Sequence, residues 1–236
     1  MAGVTASARR EHQNQERRKS GILTAVVYLA ASNHSETYGG ANMCPWATNG
    51  CAAVCLGHTS GRLRLNSSQN SQLWKTLLFH RARSTFLALL ARDISAHEQK
   101  ARKLGMKCAV RLNGTSDIPW EKIAPGLFRD FPNTQFYDYT KSSRRAFMSR
   151  DPSWPANYHV TFSRSENTTI ANIAYLVCQG INVAVVFSGP LPLTWEGLRV
   201  IDGDVSDYRP NDPEGVVVRL SVKGYNQPDT AFFVNP

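Results

Sequence analysis

Apolar runs typical of buried strands alternate along this chain with segments of helical periodicity, and this alternation constrains the fold more than any other feature. Strand-like runs cover residues 22–31, 106–112, 135–139, 157–162, 182–187 and 215–222. Helical spacing covers residues 71–104, 119–131 and 166–179. Strands joined through helices form right-handed crossovers and a mainly parallel sheet. We predict an α/β fold of about six mainly parallel strands, arranged as a partial or distorted TIM-like (β/α) barrel.

A single domain preceded by a basic arm accounts for the length of the chain. Of its 236 residues, 42% are hydrophobic, which is enough for one well-buried core. No run reaches the roughly 18 apolar residues that a membrane-spanning helix needs, and no signal-peptide pattern is found. We expect a single iron–sulfur domain over residues 21–236, for the reasons given below, in a cytoplasmic protein.

Residues 1–20 form a basic segment of a chain whose formal net charge is +9. This segment contains five arginine and lysine residues, two glutamates and no aromatic residue. We expect a flexible arm. Such an arm could make weak, salt-dependent contacts with nucleic acid phosphates, or it could be no more than a solvated terminus.

Three of the five cysteines fall close together, directly after the first predicted strand. They are Cys44, Cys51 and Cys55, in the run Cys-Pro-Trp-Ala-Thr-Asn-Gly-Cys-Ala-Ala-Val-Cys. An odd number of clustered cysteines in a reducing compartment favours metal ligation over a disulfide framework. The sequence therefore predicts a metal site in this loop.

Three interpretations of these cysteines remain open. An iron–sulfur cluster, most simply 4Fe-4S, tolerates the wide spacing because each thiolate binds a different iron. Zinc prefers ligand pairs that are closer in sequence, although His58 could complete a Cys₃His site. Unligated structural thiols are the third interpretation. Cys108 and Cys178 are expected at the opposite end of the sheet as core thiols, so a cluster would keep one iron open unless Asp117 or His58 closed it.

Polar segments follow several predicted strands, where parallel α/β folds concentrate their chemistry. We take Asp117, Asn113, Lys141 and Arg164 as candidate catalytic residues. The cofactor-binding candidates are Asn113, Asp117, Ser163 and Ser165. Together with the cysteine loop, these residues predict a site for a small molecule at the mouth of the barrel.

Four motifs resemble a family of bacteriophage proteins of unassigned activity, the mycobacteriophage gene product eighty-eight type. The motifs are Cys44-Pro-x-Ala-Thr-x-x-Cys51-x-x-x-Cys55, Arg111 to Asp117, Phe136 to Ser142, and the acidic run from Asp202 to Gly224. The similarity covers residues 40–225. It implies a phage protein that acts in the cytoplasm of the host.

The arrangement also resembles a shortened radical S-adenosylmethionine barrel, in which the cluster loop follows the first strand. Asn113 to Asp117 lies where that type places a glycine-rich acidic segment. The usual C-x-x-x-C-x-x-C spacing and the Gly-Gly-Glu sequence are absent. Cluster binding is thus better supported than S-adenosylmethionine binding.

Two hypotheses follow from the sequence. The first is an iron–sulfur protein with three cysteine ligands, whose open iron carries out redox or radical chemistry on a small molecule. The second is a non-enzymatic phage accessory protein that binds nucleic acid or a host protein, with a cluster or zinc as a structural element.

Overall fold

The computed structural model describes residues 21–32, 34–224, 228 and 230–235, and it places eight strands in a mostly parallel sheet. The order across the sheet is β1-β2-β3-β4-β5-β8-β7-β6. All neighbours pair in parallel except β6 and β7. The strands are β1 (Ile22–Val26), β2 (Lys107–Arg111), β3 (Thr134–Thr140), β4 (Tyr158–Ser163), β5 (Val183–Phe187), β6 (Thr194–Trp195), β7 (Leu198–Asp202) and β8 (Val217–Ser221).

Eight helices connect these strands in the described part of the chain. They are α1 (Asn49–Ala53), α2 (Leu56–Thr59), α3 (Asn66–Arg81), α4 (Arg83–Lys103), α5 (Trp120–Ile123), α6 (Pro125–Asp130), α7 (Ser143–Met148) and α8 (Ile170–Cys178). Local chemistry fixes several of their ends. Thr169 caps α8 by accepting a hydrogen bond from the Asn172 backbone N–H. Gly105, with a φ of 65°, adopts the left-handed conformation that often follows a helix.

One face of the sheet packs against the helices. Val110 pairs with Phe136 and Phe136 pairs with Tyr158, so the three side chains project from the same face. All three belong to a core cluster that includes residues of α3 to α6. A second cluster joins β4, β5, β7 and β8 to α7 and α8. Strands β1 to β5 lie side by side in chain order, and in both clusters their helices pack on this one face.

The prediction of an α/β fold with a mainly parallel sheet is confirmed. The sheet is open, because no pairing joins the edge strands β1 and β6 among the described residues. A TIM-like barrel is therefore not confirmed. The strands number eight rather than six, since the short β6 and β7 were not predicted.

The segment over residues 71–104, predicted as one or two helices, contains two helices, α3 and α4. They are separated by Ala82, whose φ of −141° and ψ of 62° are not helical. Residues 1–20, predicted as a flexible basic arm, lie outside the described residues. None of the described helices combines the length and the apolar character that crossing a membrane requires.

Candidate metal centre and cavity

The loop between β1 and α3 brings its three cysteines to one cavity. Cys44, Cys51 and Cys55 all line a cavity of about 280 Å³. Cys51 lies in α1, and Cys55 precedes the first residue of α2. Thr48 begins α1 by accepting a hydrogen bond from the Cys51 backbone N–H at 3.2 Å. A capped turn of helix thus sets the position of the central cysteine.

A backbone N–H group points at one of the three sulfurs. The Ser32 N–H donates to Cys44 Sγ at 3.3 Å. Near Cys55, the backbone N–H groups of Gly57 and His58 oppose the burial-driven rise in the pKa of the thiol, and the His58 N–H donates to the Cys55 carbonyl at 3.0 Å. Burial raises the pKa of all three thiols, that of Cys44 to about 12, so they are neutral near pH 7 when no metal is bound. Hydrogen bonds to sulfur are also a means by which proteins tune metal-bound thiolates.

Glu166, in the loop after β4, holds the start of α1. Its carboxylate accepts hydrogen bonds from Thr48 Oγ1 and from the Gly50 backbone N–H, each at 2.7 Å. Burial opposes the charge of this group, but these donors keep the pKa of Glu166 below its ordinary value. A Cβ atom on Gly50 would lie 2.7 Å from the carboxylate, so only glycine allows this approach. The loop after β4 therefore positions α1, the helix that carries Cys51.

The cavity lies against the sheet face opposite the helices, at the carboxyl ends of the strands. Arg111 lines it from β2, Tyr139 lines it from β3, and Lys141 lines it from the position directly after β3. Ser163 lines it from β4, and Val186 and Leu220 line it from β5 and β8. Phe232 and Phe233 add an aromatic wall. This is the strand-end location at which parallel α/β folds bind ligands.

Asn113 and Asp117, predicted as catalytic and cofactor-binding residues, line the cavity but take part in a buried hydrogen-bond network. The Asn113 amide donates to Asp138 and to the Ile118 carbonyl, and its oxygen accepts from Trp120 Nε1 at 3.1 Å. Asp117 forms an ion pair with Arg145 at 2.8 Å and accepts from the Lys141 backbone N–H. Burial raises the pKa of Asp117, and the positive charge of Arg145 opposes that rise.

Lys141 and Ser163, also predicted site residues, meet in the cavity wall. Lys141 Nζ donates to Ser163 Oγ at 3.1 Å and to the Arg164 carbonyl at 3.0 Å. The ammonium group also lies 4.6 Å from the centre of the Phe232 ring. Burial lowers the pKa of Lys141, and the nearby Cys51 and Asp117 counteract this by favouring the charged form.

Arg164 and Ser165, the remaining predicted site residues, do not line the cavity in the described structure. Arg164 Nη1 donates to the carbonyls of Phe232 and Ala231 and thereby holds the aromatic wall in place. Ser165 exchanges hydrogen bonds with Thr168 within its own loop.

Two further residues, Arg111 in the cavity wall and Arg145 beside Asp117, were not among the predicted site residues. Arg111 belongs to one of the matched motifs, and its alternation with Val110 and Leu112 marks it as facing away from the helices. Arg145 lies in α7, a helix that was not predicted. It pairs with Asp117 and Glu121 while almost fully buried.

Cys108 is buried, as predicted, but Cys178 is exposed and the prediction of a core thiol there is wrong. No group of three or more histidine, cysteine, aspartate or glutamate side chains within the described ranges is placed to hold a metal ion. His58 contacts His34, with ring centres 5.7 Å apart, and Gln69.

Comparison with known proteins gives one match. The family model described as Gene product 88 matches residues 4–235, which is nearly the whole chain. No curated protein and no solved structure matches it.

Proposed function

This chain belongs to the Gene product 88 family of phage proteins, a family without an assigned activity, and we propose that it is an iron–sulfur protein with a small-molecule site beside the cluster. Cys44, Cys51 and Cys55 would hold the cluster. The adjoining cavity would hold the small molecule, in contact with Lys141 and the strand ends.

The observation that carries the proposal is that all three clustered cysteines line one cavity. Cys108 and Cys178 are not among its lining residues. The N–H group that donates to Cys44 and the backbone N–H groups beside Cys55 suit sulfurs that would carry negative charge in the loaded protein. The donor set of three thiols without a fourth is chemically appropriate for a cluster.

A cluster is favoured over a single zinc ion because the two need different arrangements of sulfur atoms. A zinc ion draws its ligands to about 2.3 Å from one point. A 4Fe-4S cluster binds each cysteine to a separate iron and therefore accepts thiolates that are farther apart. Three thiols that are separated by six and by three residues in the sequence and share one cavity favour the cluster.

A cluster with three protein ligands supplies one iron for an exogenous ligand, and so supports redox or radical chemistry. The side chains of this protein would bind and orient that ligand. Lys141 can donate to an oxygen of the ligand, and the Phe232 and Phe233 rings exclude water from it. S-adenosylmethionine is one such ligand, and it requires its own test.

The test is chemical analysis of protein purified without oxygen. Iron and acid-labile sulfide should be present in equal amounts, and the reduced protein should give an electron paramagnetic resonance signal. Cys44→Ser, Cys51→Ser and Cys55→Ser should each lose most of the iron. Cys178→Ser is the matched control and should retain it, since this thiol is exposed and outside the cavity.

Three results would contradict the proposal: zinc without sulfide, no bound metal, or equal loss of iron in the Cys178 control. A change in the resonance signal on adding S-adenosylmethionine would support the radical branch. An unchanged signal would leave a cluster protein of another type.

A further inference from the structure

The cavity contains an arginine side chain that has no anionic partner among the described residues. Arg111 is the last residue of β2, and it projects into the cavity from the sheet face opposite helices α3 to α8. Its guanidinium carbon lies 4.7 Å from the centre of the Tyr139 ring. Its Nε atom is buried and makes no hydrogen bond.

The other cationic groups around the site have ion-pair or hydrogen-bond partners. Arg145 pairs with Asp117 and Glu121, and Lys223 pairs with Asp204. Lys141 donates to the Ser163 hydroxyl and to a backbone carbonyl. Asp207 also lines the cavity, but it is exposed and forms no ion pair with Arg111 in the described structure. Arg111 is half-buried and only its Nε atom is fully enclosed, so its remaining guanidinium donors are available to an anionic ligand in the cavity.

The rest of the cavity determines what else the ligand carries. Val186, Leu220, Phe232 and Phe233 form an apolar wall beside the arginine. A volume of about 280 Å³ is suited to a small organic molecule rather than a peptide. An anionic group at one end and an apolar body at the other would match this lining.

We propose that Arg111 binds the carboxylate or phosphate group of a small organic anion, whose apolar body packs against Val186, Leu220 and the two phenylalanines. The guanidinium lies over the Tyr139 ring, and its two Nη atoms can make parallel hydrogen bonds to the anion. The orientation of the ligand, with its far end toward the cysteines, rests on the proposed function. The anion site itself does not depend on it.

The experiment is calorimetric titration of the full chain, both as purified and after chelation of any metal. The probes are 3-phenylpropionate, phenyl phosphate, inorganic phosphate and the neutral 3-phenylpropionamide. We expect at least one of the two aromatic anions to bind about tenfold or more tightly than the amide and than inorganic phosphate, because hydrogen bonds to charged groups are strong. The tighter of the two aromatic anions identifies the carboxylate or the phosphate as the preferred group.

Arg111→Gln should weaken the preferred anion about tenfold or more and leave the amide unchanged. Arg92→Gln is the matched control, because it removes the same charge from a side chain that is 73% exposed. Circular dichroism of both variants confirms that they are folded. The proposal is overturned if the folded protein binds no probe, if the amide binds as well as the anions, or if both variants bind equally.

Iron analysis of the same samples separates the two proposals. If the protein contains no iron but binds the anion through Arg111, the anion site stands and the cluster proposal is rejected. If Arg111→Gln keeps all of its iron and anion binding does not depend on Arg111, the cluster proposal stands and the anion site is rejected.

Discussion

Replacing Glu166 with alanine should loosen the cysteine loop while leaving the core of the protein intact. The carboxylate accepts two hydrogen bonds at 2.7 Å, one from Thr48 and one from the Gly50 N–H. Hydrogen bonds to a charged acceptor contribute about 1.5–3 kcal/mol each when buried. Since Glu166 is only half-buried, we expect a combined effect of about 2 kcal/mol on opening of the loop.

That free energy corresponds to a roughly 30-fold increase in the open population of the loop. Amide hydrogen exchange measures this open population directly at Gly50, whose N–H donates to Glu166, and at Cys51, whose N–H donates to Thr48. Amides in β3 and β4 should be unaffected. The matched control is Glu214→Ala, which removes a carboxylate from an exposed pair with Arg150. Equal protection of Gly50 and Cys51 in the wild type and in Glu166→Ala would refute the reasoning.

A second substitution tests the same contact from the other side. Gly50→Ala would place a methyl group 2.7 Å from the Glu166 carboxylate and force the flexible side chain away from its donors. The exchange rate at Cys51 should rise in Gly50→Ala alone. It should show little further change when Gly50→Ala is added to Glu166→Ala, because the contact is already lost.

Three other predictions concern the buried polar groups. Asn113→Ala leaves the Trp120 indole and the Asp138 carboxylate short of partners and should cost about 3 kcal/mol of unfolding free energy in urea; a loss below about 1 kcal/mol would contradict this. A lysine at position 145 cannot make the paired contacts of the buried guanidinium with Asp117 and Glu121. Arg145→Lys should therefore lower the free energy of unfolding by at least about 3 kcal/mol, measured by thermal unfolding. An unchanged melting temperature would exclude a structural role for Arg145. Burial, aided by nearby arginines, lowers the pKa of His159 to about 4, so its contribution to stability is complete above about pH 6.5 and is lost as the pH falls towards 4. Urea midpoints at pH 7.5 and 4.5 should therefore differ less in His159→Gln than in the wild type, and an equal difference would be evidence against this assignment.

Sequence reasoning predicted central strands such as β5, which the fold buries on both faces. Val183 to Phe187 is a continuous apolar run, as expected for a central parallel strand. The hairpin of β6 and β7 was missed because β6 has only two residues. Its turn consists of Glu196 and Gly197, both with positive φ, and glutamate is not a typical residue at such a position.

The candidate site was predicted in part. Asn113, Asp117, Lys141 and Ser163 line the cavity with the cysteines because each follows or ends a parallel strand. Their hydrogen bonds could not be predicted, since partners such as Arg145 come from a helix whose few apolar residues give no clear periodicity. The contact between Glu166 and the start of α1 was also not predicted. A glutamate in a polar loop gives no indication of which distant backbone N–H it will accept from.

The aromatic wall has a consequence for the order in which the cavity is assembled. Val234 pairs beside β5, where its N–H donates to the Val186 carbonyl, and this pairing places Phe232 and Phe233 opposite the cysteines. Residues 231–234 leave the ribosome long after the cysteine loop. The cavity therefore lacks its aromatic wall until the chain has been made as far as residue 234.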